Sequence, residues 1–410
     1  TKLLYYEGPT TKEFQATVLF SRDHVVALDS TAFYPEGGGQ PCDLGTIRGS
    51  KGEAEVTTVQ KVGSVVIHRL KGNAPKVGEI VEGRLDWPRR MAHMRHHTAT
   101  HIVLGSIREV LGPHIWQAGA QKGADMARLD VTHYAKVTDE ERWHIERLAN
   151  EVVLKGLDIE SLHMPREAAE RKYGMRLYQG GPPATKTIRV LRISDFDVQG
   201  CGGTHARNTA DVGPIKILKV DRVQDGVVRF EFAAGIAAVV AVQGMERLLG
   251  EASRELSVPP ELLPKTVKRF FEEWKSQRKE IETLRGAGAA QDVAEMAGKG
   301  EKVGDITIIA QKVEAARRDL PKLSLKATKE GGGKTIAIFI STGAEVGAFA
   351  IGRSEGVDID CGEVARQAAT AVGGSGGGRP DFAQGAIKDP SKVDALLEVL
   401  KKGVRTRIIR

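Results

Sequence analysis

The order of apolar and polar residues divides the chain into stretches of period two and stretches of helical period. Over residues 13–31 the segments EFQATVLF and HVVALDST alternate or run apolar, and glycine-rich turns separate such segments up to residue 60, the pattern of β-strands. A second β stretch covers VGSVVIHRL and VGEIVEGRLDW, and Trp87-Pro88 then breaks the pattern. Beyond it, Ile102, Val103, Ile107, Val110 and Leu111 repeat at helical spacing. Residues 138–155 read as an amphipathic helix whose Thr138 and Glu141 form a capping box. A short helix is expected over 165–173, led by Pro165, and strands over TIRVLRI, PIKILKV and VVRFEFA.

From 236 to 300 the composition shifts to Ala, Glu, Lys and Arg. Leu263, Val267, Phe270, Phe271, Trp274, Ile281 and Leu284 stand close to helical spacing. That pattern fits one half of a coiled-coil hairpin, a dimer interface or a plain connecting helix. Residues 287–304, rich in Gly and Ala, predict a turn or linker. DITIIAQKVE, KTIAIFIST and VGAFAIGRS then read as strands, and 359–372 and 391–402 as helices. The expected architecture is therefore α+β: a β-rich part over 1–90, an α/β part over 91–235, a helical linker over 236–300 and a small α/β domain over 301–410.

A length of 410 residues suits two or three domains, and 41% hydrophobic residues suffice for packed cores. No run of 18 apolar residues occurs, so no transmembrane helix is expected, and TKLLYYEGPT lacks the layout of a signal peptide. The three cysteines, Cys42, Cys201 and Cys361, lie far apart, which argues for a reducing, cytoplasmic setting over a disulfide framework. The net charge of +7 favours a polyanionic partner such as nucleic acid, and with aromatics at 5% the contacts expected are to phosphate and shape.

The candidate chemistry starts at HHTATH, residues 96–101. His97 and His101 are four apart, so on a helix they share a face and can reach one metal ion. The spacing also occurs without a metal, and His93, four before His97, leaves room for a shifted pair. No Glu lies between the histidines, so the general base of an HExxH protease is missing and further ligands must come from elsewhere. QGCGGTHA, residues 199–206, offers Cys201 and His205 in a glycine loop. One thiolate and three imidazoles make a tetrahedral N/S set suited to zinc. STAFYPEGGGQPCDLG, residues 30–45, lacks the Walker spacing; it reads as a hairpin turn or as a ligand-binding loop beside Glu36 and Gln40.

Together these three motifs resemble the editing half of alanyl-tRNA synthetases and the related freestanding alanyl-tRNA editing proteins, the AlaX group. The matching residues are His97-Thr98-Ala99-Thr100-His101, Cys201-Gly202-Gly203-Thr204-His205 and Phe33-Tyr34-Pro35-Glu36-Gly37-Gly38-Gly39-Gln40. The tail GGSGGGRPDFAQGAIKDPSK, residues 373–392, resembles the Gly-rich motif of that family's DHHA1 domain. The resemblance implies zinc on His97, His101, Cys201 and His205, and hydrolysis of the ester joining Ser or Gly to alanine-specific tRNA. It assigns Thr31 to distinguishing Ser from Ala through its hydroxyl, Gln40 to orienting substrate or water, and Glu36 to a base or amine contact. It assigns tRNA binding to Gly376, Gly377, Gly378, Arg379 and Lys388, and a homodimer to the helical and C-terminal region. No class II aminoacylation core is recognised, so the chain reads as part of an archaeal-type synthetase or as a long freestanding editor. The missing initiator Met tilts this toward the part. The rival readings are a tRNA-binding module with a structural zinc, since four protein ligands is the structural count, and an editing domain like that of threonyl-tRNA synthetases, against which the DHHA1-like tail argues.

Overall fold

A computed structural model of the chain describes residues 1–178, 185–298, 300–342 and 347–409, with the backbone alone at 282–294 and 297. The chain forms two compact units, Thr1–Pro260 and Glu261–Arg410, so the division falls inside the expected helical segment.

In the first unit six strands close into a barrel in the order Glu13–Arg22, Val25–Leu28, Val65–Lys71, Gly52–Val62, Gly45–Gly49 and Ile80–Leu85. Alternation makes this possible: along Ile80–Leu85 every second residue is buried, and Val18, Leu28, Ile47, Val56, Val66 and Val81 fill the interior. The helix Trp87–Leu111 leaves the barrel directly. The strand pattern ends where Trp87-Pro88 is expected to break it, because the helix begins there. Asp86 caps it by accepting from the Arg89 N–H at 3.2 Å, and Pro88 sits in the first turn, where a missing N–H costs nothing. The histidine pair consequently lies in the middle of a 25-residue helix, with a full turn of scaffold on either side.

That helix packs on a four-stranded antiparallel sheet ordered Ile215–Gln224, Val227–Ala234, Ala127–Thr132 and Gln117–Lys122. Ile102, Leu104 and Ile107 of the helix meet Leu129, Phe230 and Phe232 of the sheet in one core. A three-stranded antiparallel sheet, Ile159–Pro165, Thr187–Ile193 and Asp197–Gly200, carries the second donor motif at its end. The helix Asp139–Leu154 has the expected capping box of Thr138 and Glu141.

The second unit begins with the helix Leu263–Gly298, which runs through most of the expected linker 287–304. The alanines of that stretch hold helical backbone despite its glycines, as their propensity allows. Val267, Phe270, Phe271 and Trp274 are exposed on this helix, while the side chain of Leu284 lies outside the described residues. A six-stranded mixed sheet follows, ordered Glu301–Val303, Ile306–Val313, Lys334–Ser341, Ala348–Arg353, Phe382–Ile387 and Gly374–Gly378. Ile306–Val313 and Lys334–Ser341 pair in parallel across the helix Leu320–Glu330, and Cys361–Ala371 and Val393–Ile408 complete the α/β unit. The Gly-rich motif is an edge strand. A Cβ at Gly376 would stand 2.9 Å from Phe349 Cζ and 3.0 Å from the Ala365 carbonyl oxygen, so only glycine fits between helix and sheet there.

Candidate metal centre

The donor atoms of His97, His101, Cys201 and His205 all lie within 4.8 Å of one another. The helix supplies the first two from one face. The loop after Asp197–Gly200 supplies the others, with Cys201 Sγ 3.3 Å from His97 Nε2 and 3.2 Å from His205 Nε2. Zinc with ordinary Zn–N and Zn–S lengths holds its donors roughly 3.4–3.6 Å apart. The spacing and the N/S chemistry of the set therefore fit such an ion. His93 is not one of the four: its Nδ1 donates to the Lys122 carbonyl at 3.1 Å. His96 is tied at both nitrogens, Nδ1 to the Ala92 carbonyl at 3.0 Å and Nε2 to the Ala234 N–H at 3.1 Å. Of the three histidines in HHTATH, His96 is a scaffold residue.

Each imidazole of the set has its other nitrogen turned to a polar partner. His97 Nδ1 donates to Gln40 Oε1 at 2.8 Å. His205 Nδ1 is 3.2 Å from Thr98 Oγ1, which also accepts from the Ala206 N–H at 3.1 Å. His101 Nδ1 faces the buried Asp197 carboxylate at 3.6 Å, an ion-pair distance rather than a hydrogen bond. Asp197 is held in turn by Gln199 Nε2 at 2.5 Å and approached by Arg108 Nη1 at 3.4 Å. Such partners fix which nitrogen is free to bind a metal and sharpen ring orientation. Burial drives His97 down to about 4, so it stays neutral. Burial acts the same way on His101, but Asp197 and Cys201 outweigh it and push that residue up to about 8. Burial alone would raise the Cys201 thiol; the imidazoles of His97 and His205 overcome it and hold the group well below its ordinary range. The thiolate and the neutral His97 and His205 are in the state that a metal requires, and His101 must release its proton for a metal to bind.

Gln40 binds the three motifs into one site. It is buried; besides His97, its Oε1 accepts from the Thr204 N–H at 3.2 Å, and its Nε2 donates to Thr204 Oγ1 at 2.8 Å. The loop carrying Gln40 is anchored twice. Arg90 of the helix, fully buried, donates to Asp43 through Nε at 2.9 Å and to the Ala32 carbonyl at 2.6 Å. Lys122 donates through Nζ to the Gly38 carbonyl at 2.7 Å and through its backbone N–H to Gly39 at 2.8 Å. Gly39 has φ +75° and would place a Cβ 2.2 Å from the Ala120 carbonyl oxygen, so this approach needs glycine.

The other sequence-derived candidates are not partners of the four donors. Thr31 is buried, its Oγ1 2.9 Å from His68 Nε2 and accepting from the Phe33 N–H at 3.2 Å. Glu36 is exposed. Among the described residues no hydrogen bond joins either to the four donors. Arg379 and Lys388 are exposed in the second unit, Arg379 pairing with Asp381 at 3.2 Å. Asp197 and Arg189 escape a reading by motif alone, and Thr98, though inside the histidine motif, receives no role from it. One signal was available for Asp197: with Gln199 and Cys201 it follows the period of two that puts residues on one face of a strand.

Three family models match the chain. One described as tRNA synthetases class II (A) covers residues 5–89; one described as the threonyl and alanyl tRNA synthetase second additional domain covers 188–231; the DHHA1 domain covers 305–406. Gln40 thus lies in the first matched region and Cys201 and His205 in the second, while His97 and His101 fall between them. The alanine--tRNA ligase of Thermococcus kodakarensis is 48% identical across 98% of this chain, and that of Pyrococcus abyssi 46% identical across 98%. Both matches span 43% of the relative, so the chain covers less than half the length of these enzymes. The C-Ala domain from Aquifex aeolicus alanyl-tRNA synthetase is 27% identical over 26% of this chain and 97% of its own, at a TM-score of 0.24. By the family models and these relatives the chain belongs to the alanyl-tRNA synthetase family.

Proposed function

We propose that the chain hydrolyses the ester between a wrongly attached Ser or Gly and alanine-specific tRNA, with a zinc ion held by His97, His101, Cys201 and His205. The observation that carries this reading is the meeting of three separate sequence motifs at Gln40, which touches both a helix donor and the donor loop. Zinc bound there supplies Lewis acidity toward the ester or its attacking water. The protein's part is positional. Gln40, Thr98 and Asp197 fix the three rings, and Arg90 and Lys122 fix the loop that holds Gln40.

Thr31 we assign to telling Ser from Ala. A hydroxyl held by His68 is a fixed polar group, and such a group discriminates by hydrogen bonding far better than an apolar wall. Glu36 is the candidate contact for the substrate amine. In the second unit Gly376, Gly377, Gly378, Arg379 and Lys388 are proposed to meet the tRNA, where glycine lets backbone approach phosphate and the two cations supply charge. The exposed Val267, Phe270, Phe271 and Trp274 support a homodimer through the helical segment. The cytoplasm is the proposed setting; no helix among the described residues is long and apolar enough to cross a membrane.

The four-donor count favours one second reading, a structural zinc in a tRNA-binding module without hydrolysis. Deacylation of Ser-charged and Ala-charged alanine tRNA, with zinc measured on the same sample, separates the two. Loss of Ser alone with one zinc per chain supports editing. Zinc and tRNA binding with both esters intact supports the module.

A further inference from the structure

The loop that carries Cys201 is gripped by its carbonyls. Arg189 Nη1 donates to the Cys201 carbonyl and to the Gly203 carbonyl, each at 2.8 Å. The Tyr6 hydroxyl donates to the Gly202 carbonyl between them at 2.7 Å. The Arg189 guanidinium lies 4.8 Å from the centre of the Tyr6 ring, so the two side chains act as one clamp. Three successive carbonyls are thereby turned to one pair of side chains.

In a trans peptide the N–H points opposite to the carbonyl of the same unit, and among the described residues there is no cis bond. The unit joining Gly203 to Thr204 shows where this leads. Its carbonyl is on Arg189, and its N–H reaches Gln40 Oε1, the atom that also accepts from His97. The unit joining Cys201 to Gly202 has its carbonyl on the same Arg189 nitrogen, so its N–H leaves on the side away from Arg189 as well. Among the described residues that N–H meets no acceptor. Gly202 is exposed whereas Gly203 and the three histidines are buried, which puts this donor at the mouth of the site, one peptide unit from a metal donor.

We propose that the Gly202 N–H receives the ester carbonyl oxygen as it becomes negative, and that Arg189 and Tyr6 are the residues that position it. The inference rests on the hydrolytic reading given above. Water oxygen adds to the ester carbon and the carbonyl π pair moves onto oxygen, where the Gly202 N–H meets it. Collapse restores the double bond and breaks the bond to the ribose oxygen, which takes the proton given up by the water. A donor already aimed costs no reorganisation when the charge develops. The cation on its carbonyl polarises the peptide and strengthens the N–H as a donor.

The test is an amide-to-ester replacement at position 202, glycolate in place of glycine, which removes the N–H and adds no side chain. Deacylation of Ser-charged tRNA and zinc content are read on parent and variant. The ester variant is expected to lose on the order of 100- to 1,000-fold in kcat with KM and zinc unchanged. Arg189→Lys, which keeps the charge but not the planar group over the Tyr6 ring, is expected to lower kcat with zinc retained. An ester variant with full kcat overturns the proposal, as does one that loses its zinc, since the N–H would then serve the donor loop. A parent chain that leaves the Ser ester intact overturns the hydrolytic reading and this inference with it; activity in both parent and ester variant sinks this inference alone.

Discussion

Gln40 Oε1 and His97 Nδ1 meet at 2.8 Å across 57 residues of sequence, so a loop of the barrel region orients a donor on a helix. Because the amide oxygen can only accept, Nδ1 carries the proton and Nε2 is left to face Cys201. Gln40→Ala removes that constraint and also leaves the Thr204 N–H without its acceptor. We expect zinc affinity to fall roughly 10- to 100-fold, the usual cost of losing such a partner. Competition against a calibrated chelator measures it. Unchanged affinity would mean that the helix alone orients His97.

Gly203 presses on the same ring from the other side. A Cβ at this position would stand 1.9 Å from His97 Cε1 and 2.2 Å from its Nδ1. No rotamer change elsewhere relieves a contact that close, because Gln40 is 3.1 Å from the same point. Gly203→Ala should therefore displace His97 and empty the site while leaving the distant barrel folded. Circular dichroism near that of the parent, with zinc content below half, is the expected pair of results. A fully loaded Gly203→Ala protein would show that the donor loop can retreat.

The buried pair Asp43 and Arg90 makes a prediction about stability. Both side chains are almost wholly removed from solvent, at 1% and 0% exposure. Arg90→Met leaves a carboxylate buried without its cation, which costs about 3–5 kcal/mol. Adding Asp43→Asn to that variant should recover part of the loss, because the uncompensated charge is gone. Urea unfolding of the single and double variants reads both effects. Equal stability of the two would assign the loss to packing.

The donor set was legible because metal chemistry restricts residue type and spacing. HxxxH on a helix and CxxxH in a glycine loop are few-parameter patterns, and both surfaced from sequence alone. Apart from Gln40, the partners of the donors were not legible, since Thr98 and Asp197 are ordinary residue types whose meaning arises only when distant segments meet. Boundaries are hard to read where one signal carries two readings. Pro88 both ends a strand and opens a helix, and Asp86 decided for the helix by capping it. Gly-rich 287–298 read as linker, yet its backbone is helical. Barrel closure has no local signature either, because alternation specifies a strand but not its neighbour.

His68 supplies a pH dependence within the barrel. Burial holds it down to about 4 from an ordinary value near 6.5, and its ring stays neutral beside the Thr31 hydroxyl and the Val26 carbonyl. Between those two values the unfolded chain takes up a proton that the native protein refuses. Stability from this residue is thus complete above about pH 6.5 and declines as pH falls toward 4. The loss reaches about 2 kcal/mol by pH 5 and about 3 kcal/mol by pH 4. His68→Gln keeps an acceptor for the Thr31 hydroxyl and cannot charge. Its stability should change less between pH 7 and pH 5 than that of the parent, by about 2 kcal/mol. Comparing the two proteins in urea cancels the other buried histidines, which are common to both. A parent and variant with the same slope would place a proton on His68 in the native state, and Thr31 would then face a cation rather than a neutral ring.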